Sequence, residues 1–203
     1  LSAEKLGLAL DKALLSDARS AGWRGAGFAK SSVLEAGRLL LASGDRSQGK
    51  RFLLHLAESL TETELAQLAE MALEMGEPHV AVLIGKQAAG RGVILPAAYF
   101  PVVGLVPDGL PVSRALALSI ARRESEFDPV VISPAGARGL MQVMPGTAKL
   151  MATKTGQDYA LSRLTGDPAY NVSLGAAYLA GLVEEFGPAV ALIASGYNAG
   201  PGR

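Results

Sequence analysis

The sequence predicts an all-α protein in two parts, and three observations carry that expectation. From Ser32 to about Ala89 the apolar residues recur at helical spacing, with no strand-like alternation to compete. Four prolines then crowd residues 91–111, a stretch with no amphipathic periodicity of its own. After Pro111 the helical pattern returns and runs almost to the end of the 203-residue chain. The expected organisation is a helical-hairpin segment over 1–90, a proline- and glycine-rich connection over 91–111 and a second domain over 112–203.

In the first part, Trp23 lies among Gly22, Gly25 and Gly27, where it reads as the anchor of a loop that ends a first helix, with stacking on a sugar as the alternative. Beyond it, Val33, Leu34, Leu40 and Leu41, then Phe52, Leu53, Leu56 and Leu60, then Leu65, Leu68, Met71 and Met75 mark successive apolar faces. Breaks fall at Ser43-Gly44-Asp45, at Leu60–Glu64 and at Gly76-Glu77-Pro78. Thr61 with Glu64 three residues on reads as a capping box. The result is four helices of roughly 12 to 15 residues joined by short turns. Two stacked hairpins of this kind suit a superhelical, interaction-bearing segment.

In the second part, helices are expected over 112–123, 145–154, 171–186 and 189–195. Pro145 suits the first turn of its helix, and Gly187-Pro188 stops the third, because proline supplies no amide and clashes with the preceding turn.

Composition excludes several functions. With 19 basic and 19 acidic residues the net charge is zero, and no run of like charge points to nucleic acid or an anionic membrane surface. The absence of cysteine removes disulfides, thiolate metal sites and cysteine nucleophiles together. His55 and His79 have no ligand-type neighbour at metal spacing, so no metal and no cofactor is expected. No apolar run is long enough to span a bilayer, and a chain opening on Leu1 reads as a piece of a longer precursor. Gly44–Arg51 resembles a phosphate-binding loop but has Arg51 where a hydroxyl residue is required, and no strand precedes it. Ser47–Lys50 and Lys154–Gly156 echo penicilloyl-serine transferases, without that family's sheet or its Ser-Asp-Asn element.

The chemistry-bearing residues gather around Glu124-Ser125-Glu126-Phe127-Asp128-Pro129 and Ser133–Pro145. Glu124 ends an apolar helical run, where the helix dipole and partial burial both raise a carboxyl pKa toward that of a general acid. A solvated glutamate at a helix end is the alternative. Gly136 and Gly139 permit a tight turn, while Ser133 and Gln142 supply a hydroxyl and an amide. A second cluster, Gly196-Tyr197-Asn198-Ala199-Gly200, sets an aromatic hydroxyl and an amide beside glycines. Asp128, next to Pro129, reads as a turn-forming residue and not as a second catalytic carboxylate.

ESEFDP, SPAGARGLMQVMPGTA, the run from Asn171 through Gly175 and Tyr178 to Phe186, and GYNAGPGR together resemble the catalytic domain of the soluble lytic transglycosylases, across roughly 112–203. The resemblance implies a lysozyme-like α-helical domain preceded by part of a superhelical linker, and a domain that continues beyond Arg203. It implies a periplasmic protein that cleaves peptidoglycan between N-acetylmuramic acid and N-acetylglucosamine without water, leaving a 1,6-anhydro end. Glu124 would be the acid and then the base. Ser133 would position Glu124 or the muramyl group, and Gln142, Met144, Tyr197 and Asn198 would line the glycan groove. The helical segment could recruit cell-wall synthesis or division proteins. A goose-type muramidase, which delivers water, and a non-catalytic peptidoglycan-binding scaffold are the alternatives.

Overall fold

Ser31 starts the first long helix by accepting a hydrogen bond from Val33 N–H, and α1 then runs Ser32–Ala42. Asp45 does the same for Gln48 at the head of α2, Arg46–Ala57. Thr61 and Glu64 close the expected capping box reciprocally and begin α3, Glu62–Glu74. Pro78 occupies the first turn of α4, Pro78–Ala89. The computed structural model describes residues 5–9 and 22–200; a helix ahead of Trp23 falls outside them. The four helices end where Gly44, Gly76 and their neighbours were read as breaks, and each is 11 to 13 residues long.

Helices α1 and α2 pair through two glycines that the periodicity did not single out. A Cβ on Gly49 would lie 2.9 Å from the Gly37 carbonyl oxygen and 2.6 Å from Leu41 Cγ, so the backbones cross at close range. Leu34, Leu53, Leu65, Leu68, Met71 and Ile84 fill the core of this part together with Trp23 and Phe28. Trp23 is therefore a core residue; its Nε1 donates to Glu74 Oε2 at 2.9 Å.

Residues 91–111 are not all connection. Pro96–Tyr99 form a one-turn helix, α5, seated on α4 where Gly85 brings a would-be Cβ to 3.0 Å from Tyr99 N. Four residues are too few to display a period, which is why the sequence pattern hid it. Contacts divide the chain into two units, Leu1–Pro101 and Val102–Arg203.

In the second unit, Ser113 caps α6, Arg114–Glu124; Pro145 opens α7, Pro145–Thr155, which Gly156 ends in the left-handed conformation; and α8 is the single turn Arg163–Gly166. The long α9, Pro168–Phe186, begins earlier than the expected 171 because Asp167 caps it, accepting from Tyr170 N–H, with proline directly after the cap. Helix α10 runs Val190–Ala199 and so includes Tyr197 and Asn198. Helix α9 contacts α6, α7, α8 and α10, and its Leu174, Ala176 and Leu179 are fully buried. No strand forms among the described residues, only isolated antiparallel bridges from Arg138 to Ile132 and to Val143. The all-α expectation holds.

Candidate active site

Glu124 is the final residue of α6. Ala117, Ile120 and Ala121 bury the face of that helix, which holds the last turn at the margin of the core and leaves Glu124 half-buried. Burial pushes its carboxyl above the ordinary carboxylate range, and the positive charge of Arg123 draws it partly back.

Past Glu124 the backbone turns sharply. Glu126 and Phe127 both adopt left-handed φ, 54° and 63°, a conformation that costs residues carrying a Cβ about 1 kcal/mol or more each. Phe127, 1% exposed, anchors the turn in the core. Asp128 Oδ1 accepts from Val130 N at 3.2 Å, as a turn aspartate does.

The loop that follows is folded on itself. Ser133 Oγ accepts from Ala137 N at 3.0 Å, and Ser133 N–H donates to the Ala137 carbonyl at 2.9 Å. Arg138 and Val143 exchange both backbone hydrogen bonds, closing a tight turn between them. Gly139 with φ 71° and Gln142 with φ 48° make that turn possible. The Gln142 amide donates to Gly139 O at 2.9 Å and to Val131 O at 3.2 Å, so its nitrogen is spent on the loop itself.

Side chains from three remote places hold the turn. Ser125 Oγ donates to Leu140 O at 2.6 Å. Asn171, fully buried on α9, accepts Met141 N–H at 2.8 Å and donates to Arg138 O and Leu164 O at 2.8 and 3.0 Å. The Tyr197 hydroxyl donates to Met141 O at 2.9 Å. Gly175 makes room for this, since a Cβ there would lie 2.7 Å from Met141 Sδ and 3.1 Å from the Tyr197 oxygen. The Tyr197 hydroxyl is held far above its ordinary pKa by burial first, then by the negative charge of Glu124 and by Tyr178. Tyr197 is thus a neutral donor within the field of Glu124. The Tyr178 and Tyr197 rings lie 5.6 Å apart between centroids.

Of the six residues singled out from sequence, Glu124, Gln142 and Tyr197 are linked through this turn. Met144 is exposed just ahead of α7, and Asn198 is exposed on α10. No hydrogen bond or charge interaction among the described residues joins Ser133, Met144 or Asn198 to Glu124. Reasoning from sequence passed over Ser125 and Asn171 as site residues, although a lone amide inside the apolar run of α9 is the kind of buried polar group that must be satisfied. Among the described residues no group of three or more His, Cys, Asp or Glu could hold a metal ion, and no helix is long and apolar enough to cross a membrane.

This helical architecture is that of a lysozyme-like domain, and comparison with solved structures bears this out. The structure superimposes over 99% of its length on the 70 kDa soluble lytic transglycosylase of Escherichia coli, with a TM-score of 0.80 and 28% identity, covering 33% of that protein. An inactive glutamate-to-glutamine mutant of the lytic transglycosylase Slt from Pseudomonas aeruginosa is similar over the same 99%, covering 33% of that chain, with a TM-score of 0.72 and 27% identity. The family model described as the transglycosylase SLT domain matches residues 110–203. The soluble lytic murein transglycosylase of Salmonella typhimurium is 34% identical over 157 residues, 73% of this chain and 24% of that protein. A putative soluble lytic murein transglycosylase of Haemophilus influenzae is 33% identical over 166 residues, 82% of this chain and 28% of that protein. The chain belongs to the Slt-type family of soluble lytic transglycosylases. It spans about a quarter of the length of these curated relatives.

Proposed function

We propose that the second unit cleaves the β-1,4 bond between N-acetylmuramic acid and N-acetylglucosamine in peptidoglycan without water, on the cell-wall side of the membrane, with Glu124 as acid and then as base. The observation that carries this reading is the half-buried carboxyl of Glu124, raised by desolvation, whose charge is felt by the buried hydroxyl of a neutral Tyr197. A carboxyl so placed keeps its proton closer to neutrality than an exposed glutamate does. The protonated group donates to the glycosidic oxygen as the bond from the muramyl C1 breaks, and N-acetylglucosamine leaves with its hydroxyl restored. The substrate's own N-acetyl group supports the electron-poor C1, as in substrate-assisted glycosidases. The Glu124 carboxylate then takes the proton of the muramyl 6-hydroxyl as its oxygen closes on C1. The proton is returned to Glu124, no water is consumed and the product carries an anhydro ring. Asp128 is occupied in its turn, in keeping with a single-carboxylate reaction. Gln142, Met144, Tyr197 and Asn198 would border the glycan, and Ser133 would orient the muramyl group.

The relatives named above as lytic murein transglycosylases support the substrate class. The inactive glutamate-to-glutamine mutant of the Pseudomonas aeruginosa protein supports an essential glutamate. Glu124→Gln removes the transferable proton while keeping shape. It should reduce release of anhydromuropeptides, followed by mass spectrometry, by at least ~10³-fold, a loss within the range for an essential acid. Anhydro product from the mutant at the unsubstituted rate would refute the role of Glu124. Reducing-end products from the unsubstituted chain would replace this reading with that of a hydrolytic muramidase.

A further inference from the structure

We infer that Ser125 is a positioning residue, which with Asn171 grips the Leu140–Met141 peptide group at both ends and so fixes the Gln142 turn against the helix end that carries Glu124. The inference rests on the reading of Glu124 as the acid. Leu140 O and Met141 N–H belong to one peptide plane. Ser125 Oγ holds its oxygen at 2.6 Å and Asn171 Oδ1 holds its hydrogen at 2.8 Å. The Ser125 hydroxyl has one proton and two oxygens within reach, but Ala121 O lies farther away, at 3.2 Å, so the proton belongs to Leu140 O. Both holding side chains are buried, at 7% and 0% exposure, where losing a bond leaves its partner unsatisfied unless the turn loosens. The next carbonyl along, Met141 O, takes the Tyr197 hydroxyl.

The arrangement explains how a strained segment stays in one conformation. Glu126, Phe127 and Gln142 occupy left-handed φ, and such residues persist only where their surroundings over-determine them. Ser125 lies between Glu124 and the first two and is bonded to the loop that contains the third. Through Met141, the same peptide leads to Tyr197, whose hydroxyl sits in the field of Glu124. A hydroxyl that only filled space would not need to reach 15 residues along the chain to Leu140.

The test compares the unsubstituted full chain with Ser125→Ala and the hydroxyl-retaining Ser125→Thr. Three quantities are read: native-state amide exchange at Met141, the titration of the Glu124 carboxyl by NMR, and turnover of peptidoglycan. Ser125→Ala should speed Met141 exchange about ten-fold or more, the equivalent of one buried hydrogen bond, while amides in the middle of α9 keep their rates. The Glu124 pKa should move down toward that of an ordinary glutamate as water enters the loosened turn, and kcat should fall about ten-fold with KM changed less than about two-fold. Ser125→Thr should recover part of all three. Unchanged Met141 exchange and unchanged Glu124 titration in Ser125→Ala would overturn the inference, as would faster exchange spread evenly through the second unit. A complete absence of cleavage by the unsubstituted chain would defeat the proposed reaction instead, and the exchange and titration would still decide the role of Ser125.

Discussion

The two units of this chain use polar groups differently. In the first, the groups that fix each helix lie within three residues of what they bind: Ser31 with Val33, Asp45 with Gln48, Thr61 with Glu64. Its longer-range bonds mostly tie helix ends together, as where Arg91 donates to the carbonyls of Ala57, Glu58 and Leu60, and one buried side chain, Gln67 in the middle of α3, donates to Gly22 O. In the second unit, Ser125, Asn171 and Tyr197 reach 15, 30 and 56 residues to converge on two consecutive peptide groups. All three left-handed residues other than glycine among those described also lie there. A helical hairpin needs only local rules and a packed seam. The loop beside Glu124, which on the proposed reading holds a proton donor against a substrate, is kept in a conformation that its own residues do not favour, and the holding groups come from far along the chain.

The strongest way to break this contrast is to attack the space into which the loop is packed. Gly139 has φ 71°, and a Cβ there would overlap the Leu164 carbonyl oxygen and lie 2.6 Å from Asn171 Nδ2. Gly139→Ala should therefore destabilise the second unit by roughly 3 kcal/mol or more in urea denaturation. Gly136 also has positive φ, 88°, but no atom lies within 4 Å of its would-be Cβ. Gly136→Ala should cost only about 1 kcal/mol, the conformational term by itself. Equal effects at the two positions would mean that the Asn171 clamp contributes little.

A smaller effect is expected in the first unit. Thr61→Ala removes the capping box at the head of α3 and should cost about 1 kcal/mol. Thermal unfolding gives the loss, and amide exchange should confine it to α3 and its neighbours. A change in the exchange of Met141 in this variant would show that the local and long-range designs are not separable.

The same contrast governs what could be read from sequence. The head of α3 was legible because Thr61 and Glu64 act on their immediate neighbours, and the heads of α2 and α4 followed breaks that contain Asp45 and Pro78; the cap at Ser31 was not read. The approach of Gly37 to Gly49 was not, since two glycines on different helices carry no mutual signal. Glu124 could be placed at a helix end from the apolar run before it. Tyr197 and Asn198 were read beside glycines lining a groove, yet α10 continues through both of them to Ala199. Gln142 was read as an amide that orients a carboxyl or lines the glycan groove; the bonds of its nitrogen to Val131 and Gly139 within its own loop could not be read from the sequence. Asn171 was visible only as the start of a helix, because its partners lie 7, 30 and 33 residues away.

The finest test concerns the cost of keeping Glu124 half-buried. Its folded-state pKa is raised by burial, so the folded protein binds this proton more tightly than the unfolded chain does. Below the unfolded value, about 4.3 for a glutamate, both states are protonated and the group imposes no penalty. As pH rises through the folded pKa the carboxylate forms in a site that disfavours charge, and stability is lost. Glu124→Gln cannot ionise and escapes that loss. The mutant and the unsubstituted protein should have matching urea midpoints near pH 4, and the mutant should become the more stable of the two between pH 6 and 8. The gap should be small, because solvent screens a half-exposed charge. A mutant that is less stable at pH 8 than at pH 4, relative to the unsubstituted protein, would mean that the ionised carboxylate is stabilised in place. Glu124 would then be a poor acid near neutrality, and the functional contrast between the two units would have to rest on the loop alone.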